Sequence, residues 1–145
     1  LILGLGRGMQ GALFDVFGIP ASEKRSRFKH NLDTMVKAWR GDPIHRDAEG
    51  RETTLAPLPR QRPHPPLWVA AFGPLALKQV GGLGLPYLCS PIEPLAMLQS
   101  NYSLHREAAA EAGQTLSSTV PVMRTVLITE DGYEVLTLGA TDREA

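Results

Sequence analysis

The sequence is short of cysteine, of excess charge and of long apolar runs, and each shortage excludes a class of protein. Cys89 is the single cysteine among 145 residues, so one chain can form neither a disulfide framework nor a cysteine zinc site. The 15 basic residues equal the 15 acidic ones and form no basic face, which argues against a nucleic-acid partner. No apolar run approaches the roughly 20 residues that span a bilayer. We therefore expect a cytoplasmic protein without a membrane partner.

The histidines do not predict a metal site. His45 and His64 lie in a proline-rich stretch and have no partner at the spacing of metal ligands. His30 and His105 fall within predicted helices, where packing or exposure explains them. Cys89 is expected to be a small buried side chain.

An arginine among glycines follows the first apolar run, in the segment Gly4-Leu5-Gly6-Arg7-Gly8. Glycines let the backbone approach an anion, and a guanidinium can hold phosphate oxygens with two parallel hydrogen bonds. Arg7 therefore predicts a phosphate site, with a loop carboxylate such as Asp15 as the alternative partner. The spacing also fits a GxGxxG dinucleotide fingerprint, but we expect a loop over 6–21 and place Asp33 inside a helix, which disfavours that interpretation.

Apolar spacing, prolines and glycines predict alternating strands and helices along the chain. Gly81 and Gly82 weaken the second helix unless they allow close packing on a neighbour. The predicted strands are 1–5, 67–71, 86–90 and 120–129, and a further connection starts at Glu130. The predicted helices run from a Ser22 cap to Gly41, from Pro74 to about Leu83, and from Pro94 to Gly113.

Residues 42–66 interrupt this alternation with six prolines among arginines and histidines. Proline prevents a long helix or a central strand, so we predict a loop excursion with a small hairpin near Glu49-Gly50-Arg51. The strand that follows, 67–71, is apolar without alternation, which predicts that both of its faces are covered.

Strands that alternate with helices indicate a parallel α/β sheet. Four such units make half of a (β/α)₈ barrel, and an open doubly wound sheet is the alternative. We expect residues 1–145 to form a single partial barrel domain and to be a piece of something longer. Because a half barrel leaves sheet edges open, we expect a homo-oligomer or another covering partner.

Several blocks, in order over about the first 90 residues, resemble the bacterial luciferase-like flavin-dependent monooxygenases. They are Leu3-Gly4-Leu5-Gly6-Arg7-Gly8, Phe14 with Phe17-Gly18, Arg25 with Arg27-Phe28, Ala38-Trp39-Arg40-Gly41, residues 58–71, and Gly84-Leu85-Pro86. The resemblance implies a (β/α)₈ barrel of which this chain is roughly the second half, from about the fourth strand to just past the seventh.

The resemblance also implies a flavin mononucleotide (FMN) site. Arg7 matches the position that contacts the flavin phosphate, and Gly6 beside it stands where a luciferase carries a reactive cysteine. The backbone of Ala71, Phe72 and Gly73 matches the phosphate turn, although a hydroxyl residue is common where Phe72 stands. Ser90, at a strand end, is expected to touch the flavin ring or the substrate.

The implied chemistry is oxidation of a small organic substrate by O₂ and reduced FMN, supplied by a separate NAD(P)H-dependent reductase. No general acid or base can be named in this chain. Two alternatives stay open: a related barrel that uses a deazaflavin for hydride transfer without oxygen, and a non-catalytic half barrel that folds by association.

Overall fold

A computed structural model describes residues 1–8, 11–130 and 132–136. The chain divides into two compact units, one of Leu1–Leu3 with Arg7–Pro66 and one of Gly4–Gly6 with Leu67–Ala145. The described residues form helices α1 (Gly11–Val16), α2 (Lys24–Arg40), α3 (Pro74–Gly82) and α4 (Leu95–Glu111). Their strands are β1 (Leu3–Gly6), β2 (His45–Arg46), β3 (Glu52–Thr53), β4 (Leu67–Ala70), β5 (Tyr87–Leu88), β6 (Thr125–Thr129) and β7 (Gly132–Leu136). None of these helices is both long enough and apolar enough to cross a membrane.

The first unit begins with a short helix where the sequence predicts a loop. Residues 11–16 form α1, and two backbone bonds close its end, from Gly18 N–H to Asp15 O and from Ile19 N–H to Phe14 O. The loop prediction for 6–21 is therefore wrong over 11–16, and residues 9 and 10 lie outside the described part. A helix of six residues is too short to display an apolar period. The nearby Gly11, Gly18 and Pro20 therefore decided the prediction, and they favour a loop.

Helix α2 has the apolar residues expected at helical spacing but not the predicted cap. Its apolar face comprises Phe28, Leu32, Met35, Val36 and Trp39. Ser22 lies in a 3₁₀ turn at Ala21–Glu23, and no side chain caps the N-terminus of α2, so the cap prediction is wrong. Leu32 is buried in the middle of the apolar face. Gly41 ends the helix as predicted, with a φ of 88° and an N–H that donates to Ala38 O. A left-handed backbone conformation at this position favours glycine.

The predicted hairpin near Glu49-Gly50-Arg51 is present, since β2 and β3 pair antiparallel. The Asp47 carboxylate organises its turn by accepting hydrogen bonds from Glu49 N (3.1 Å), Arg51 N (2.8 Å) and Arg51 Nε (2.6 Å). The Arg51 side chain is the main cause of a lowered Asp47 pKa. Local hydrogen bonds of this kind explain why so short a hairpin could be predicted from the sequence.

Strands β1, β4 and β5 form a three-stranded sheet in this order, and all of it except Leu3 belongs to the second unit. Strands β4 and β5 are parallel, with Val69 opposite Tyr87. Burial alternates along β4, because Leu67 and Val69 are buried while Trp68 and Ala70 are half-buried. The prediction that both faces of this strand are covered is therefore wrong for the described residues, where one face is buried and the opposite one stays partly open.

Helices α3 and α4 follow the predicted bounds and pack closely on each other at Gly81. A Cβ atom at Gly81 would lie 2.3 Å from His105 O and 3.1 Å from Ala108 Cβ. The helix backbones therefore approach more closely than any side chain at this position allows. Gly82 differs, because a Cβ atom there would lie 4.0 Å from its nearest neighbour, Ala112 Cβ.

The predicted fourth parallel strand is a hairpin instead. β6 pairs antiparallel with β7 in a separate two-stranded sheet, with Val126 opposite Val135. The predictions of a parallel strand over 120–129 and of a connection after Glu130 are therefore wrong, and residues 137–145 lie outside the described part. All five residues of β6 are exposed. Because β7 follows β6 closely in the chain, the two strands pair with a small entropy cost of loop closure. This pairing satisfies the backbone hydrogen bonds along one edge of β6.

Substitution at Gly81 and at Gly82 should have opposite effects on stability. Gly81→Ala is expected to lower the free energy of unfolding by about 1–3 kcal/mol, because the new methyl group collides with backbone atoms of α4. Gly82→Ala has room and is expected to raise it by up to about 1 kcal/mol through helix propensity. Urea unfolding of the two variants measures both values, and equal effects would contradict the close approach at Gly81.

Candidate functional site

Arg7 follows the last residue of β1 and belongs to the first unit. Its side chain is partly buried, and this burial is the main cause of a lowered guanidinium pKa, to which the positive charge of Arg25 adds. The positive charges of Arg7 and Arg25 therefore repel each other here. Arg25 has no predicted site role, although it belongs to the Arg25 and Arg27-Phe28 block of the resemblance.

The turn between β4 and α3 contains the next three predicted residues, in the second unit. Ala71 is buried, whereas Phe72 and Gly73 are exposed. Gly73 has a φ of 77° and precedes the helix, and no side chain caps the α3 N-terminus. Pro74 has no N–H, and the Gly73 carbonyl accepts from Ala76 and Leu77. The positive end of the α3 dipole is thus exposed beside a flexible backbone position, which suits an anion.

Ser90 follows β5, and its main chain is held on both sides. The Ser90 N–H donates to Glu93 Oε2 at 2.5 Å, and the Ser90 carbonyl accepts from Arg124 Nη1 at 3.2 Å and from Glu93 N–H at 3.3 Å. The Ser90 hydroxyl oxygen accepts from Ile92 N–H at 3.4 Å. Since β4 and β5 are parallel, Ser90 and the 71–73 turn lie at the same edge of the sheet.

A buried polar cluster supports this loop, and we call its members, Tyr87, Glu93 and Asn101, the Glu93 cluster. Glu93 is 6% exposed, and its carboxylate accepts from Tyr87 Oη at 2.8 and 2.9 Å and from Asn101 Nδ2 at 2.9 Å. Burial is the main cause of a raised Tyr87 pKa, and the hydrogen bond to Glu93 adds to it. A buried carboxylate is stable only with such donors.

The segment after α4 runs beside the end of β5. Met123 N–H donates to Cys89 Sγ at 3.3 Å, and the Tyr102 hydroxyl donates to Pro121 O at 2.8 Å. Cys89 is fully buried, which confirms the prediction for that side chain. Burial, followed by the neighbouring Cys89, raises the Tyr102 pKa.

A cavity of about 640 Å³ lies between α4 and residues 116–121 in the second unit. None of the predicted site residues lines it, so the cavity is separate from the strand-end turns. Among the residues that the structure describes, no group of three or more histidine, cysteine or acidic side chains could hold a metal ion.

A family model described as luciferase-like monooxygenase matches residues 1–138. The chain belongs to the luciferase-like monooxygenase family. The resemblance in the sequence is thereby confirmed.

Curated relatives of this luciferase-like chain are considerably longer than it is. An uncharacterized protein, y4wF of Sinorhizobium fredii, is 23% identical over 141 residues, which are 95% of this chain and 41% of the relative. The oxygenase component of a flavin-dependent trigonelline monooxygenase of Acinetobacter baylyi is 33% identical over 78 residues, 51% of this chain and 22% of that protein. The chain therefore spans less than half the length of these luciferase-like relatives.

Solved structures show the same fold. Monooxygenase RslO1 of Streptomyces bottropensis matches with a TM-score of 0.67 at 24% identity over 90% of this chain and 41% of that one. The oxygenating constituent of 3,6-diketocamphane monooxygenase of Pseudomonas putida, in complex with FMN, matches with a TM-score of 0.63 at 19% identity over 88% and 40%. The coenzyme F420-dependent tetrahydromethanopterin reductase of Methanopyrus kandleri gives 0.55 at 22% over 79% and 37%. The predicted α/β fold, a partial (β/α)₈ barrel, is confirmed.

The structure places the predicted site residues of this luciferase-like chain at strand ends. Gly6 ends β1, which neighbours β4, while Ala71, Phe72, Gly73 and Ser90 follow β4 and β5. Arg7 belongs to the other unit. The Glu93 cluster was not predicted, and its one local sign in the sequence is Glu93 directly before Pro94 at the start of α4.

Replacing Tyr87 by phenylalanine should destabilise the second unit and alter its response to alkali. Loss of the hydroxyl leaves Glu93 short of a donor and is expected to lower the free energy of unfolding by about 1–3 kcal/mol. Because folding raises the Tyr87 pKa, the hydroxyl's contribution is fully present below the ordinary tyrosine pKa of 10.0 and is lost as pH rises above it. Urea unfolding at pH 8 to 11 should show a smaller alkaline decline for Tyr87→Phe than for wild type. An identical decline would contradict this assignment.

Proposed function

We propose that this chain is a segment of a flavin-dependent monooxygenase in which the complete protein uses reduced FMN and O₂ to oxidise a small organic substrate. The observation that carries the proposal is the exposed, uncapped N-terminus of α3 directly after Phe72 and Gly73. A helix start of this kind favours a phosphate group through its dipole and through the backbone N–H groups of the turn before it. Family membership and the names of the monooxygenase relatives support the same function.

The resemblance assigns the flavin phosphate to Arg7, with Gly6 beside it, and to the 71–73 turn. For Arg7 the support is its position directly after β1, the strand beside β4. For the 71–73 turn the support is the open space beside its backbone, because a Cβ atom at Gly73 would meet nothing within 4 Å. Phe72 has no hydroxyl to donate, so it would contact the phosphate through its backbone N–H. Ala71 would likewise contribute only through its backbone.

When bound, reduced flavin supplies the oxygen chemistry of such an enzyme. The residues of this chain then bind the phosphate end and shape the mouth of the barrel. Ser90 is proposed to face the flavin ring or the substrate, because it lies at the same sheet edge as the phosphate turn. The residues that move protons are not assigned in this chain.

A separate NAD(P)H-dependent flavin reductase is the proposed partner of the complete protein. The support is the trigonelline relative, which is named as an oxygenase component. Three properties stay predictions: assembly as a homo-oligomer, a cytoplasmic location, and a single partial barrel domain over residues 1–145. The alternative of a non-catalytic half barrel that folds by association also stays a prediction.

A deazaflavin is the second candidate cofactor, because the F420-dependent reductase of Methanopyrus kandleri shares the fold. Such an enzyme would transfer hydride without oxygen. Oxygen uptake by the complete protein with reduced FMN separates the two: uptake that requires an organic substrate favours the monooxygenase, and hydride transfer from reduced deazaflavin in the absence of uptake favours the alternative.

A fluorescence titration of FMN with the purified chain tests the phosphate assignments. Arg7→Ala is expected to weaken FMN binding by about 10- to 100-fold, the range for losing hydrogen bonds to a charged group. Gly73→Ala is expected to weaken it as well, since its φ of 77° strains any other residue. Riboflavin, which lacks the phosphate, should bind wild type and Arg7→Ala with equal affinity.

Arg60→Ala is the matched control, because Arg60 is an exposed arginine of the same unit as Arg7. It should bind FMN as wild type does. If Arg7→Ala and Arg60→Ala bind equally, the Arg7 assignment is wrong, and if riboflavin binds wild type as tightly as FMN does, the phosphate site is wrong.

A further inference from the structure

Two oppositely charged side chains form hydrogen bonds with the Ser90 main chain, one at its N–H and the other at its carbonyl. The Glu93 carboxylate accepts the Ser90 N–H at 2.5 Å, while Arg124 Nη1 donates to the Ser90 carbonyl at 3.2 Å. Glu93 and Arg124 form no ion pair with each other in the part of the chain that the structure describes. Each charge is therefore directed at the peptide groups of Ser90 rather than at the other charge.

The Glu93 side chain is itself held in one position. All its side-chain partners are donors, namely the Tyr87 hydroxyl, Asn101 Nδ2 and Ser90 N–H, which matches a carboxylate that only accepts. Tyr87 and Asn101 belong to β5 and α4, so the carboxylate joins a strand, a helix and the loop between them. A buried charge with this many partners adopts one geometry.

Arg124 is fixed in a similar way. Its Nη1 donates to the carbonyls of Ser90 and Met123, and its Nη2 is buried without an acceptor among the described residues. The guanidinium thus ties the segment after α4 to the loop after β5. Both groups act on the same serine, whose hydroxyl oxygen accepts a long bond from Ile92 N–H.

We infer that Glu93 is a positioning residue, which fixes the Ser90 main chain so that the Ser90 hydroxyl is presented to the flavin or substrate at the end of β5. The inference rests on the proposed flavin site. Groups that contact a ligand need a supporting shell that holds their geometry, and Glu93 supplies it through a charged hydrogen bond. A purely structural role would stabilise the loop without acting through the serine hydroxyl.

A double-mutant cycle distinguishes positioning from a purely structural role. The variants are Ser90→Ala, Glu93→Gln and their combination, and Glu107→Gln, an exposed glutamate of α4, is the matched control. Three quantities are measured for each: the hydrogen-exchange rate of the Ser90 amide, the dissociation constant for FMN, and the absorption spectrum of bound FMN. Where Glu93→Gln lowers the folded population, Glu93→Asp replaces it in the same cycle.

Positioning predicts a specific pattern. Glu93→Gln should accelerate exchange of the Ser90 amide about 10- to 100-fold, the effect of weakening a hydrogen bond to a charged group. Ser90→Ala should raise the dissociation constant about 2- to 10-fold and shift the flavin spectrum, as expected for one neutral hydrogen bond. Glu93→Gln should reproduce this rise and this shift, and the combined variant should show no further change. Glu107→Gln should behave as wild type.

Other outcomes separate the two proposals. Additive effects of Ser90→Ala and Glu93→Gln on FMN binding, or unchanged Ser90 exchange in Glu93→Gln, would overturn positioning and leave the flavin site intact. Failure of folded wild type to bind FMN would instead overturn the assignment of the flavin phosphate to this segment and, with it, this inference.

Discussion

The contact between the backbones of α3 and α4 is the constraint on which the second unit depends. Gly81 has no side-chain atom at the crossing, so the α3 backbone lies directly against the His105 carbonyl and the Ala108 methyl group of α4. Each helix begins directly after a strand-end turn, α3 after Gly73 and α4 after the loop that contains Ser90. The separation of the helices therefore also sets the separation of the two turns that carry the candidate site residues.

Local physical rules predicted much of the fold. Gly41, Pro74 and Pro94 mark helix ends through fixed backbone preferences, and the apolar face of α2 has its helical period. The errors arise where tertiary context decides. The six residues of α1 are too few for a period, and a run rich in valine and threonine fits a parallel strand and an exposed hairpin equally well. Alternating burial along β4 depends on which layers are present, and composition does not determine that.

The candidate site divides in the same way. Arg7, the 71–73 turn and Ser90 could be named because they belong to blocks of the family or end predicted strands. Glu93 could not, because its role depends on a tyrosine in β5 and an asparagine in α4 that meet only in the folded chain. A buried acidic residue next to a proline has no distinctive sequence pattern, and its importance becomes visible only from its donors.

The two tryptophans of the chain are divided evenly between its two units. Trp39 lies in α2 of the first unit, where its ring is 5.9 Å from that of His64, and Trp68 lies in β4 of the second, on the partly open face of the sheet. Each unit therefore contains its own fluorophore. A chain that retains only one of them would emit from a single unit, so the cooperativity of the two halves can be followed by intrinsic fluorescence without any added label.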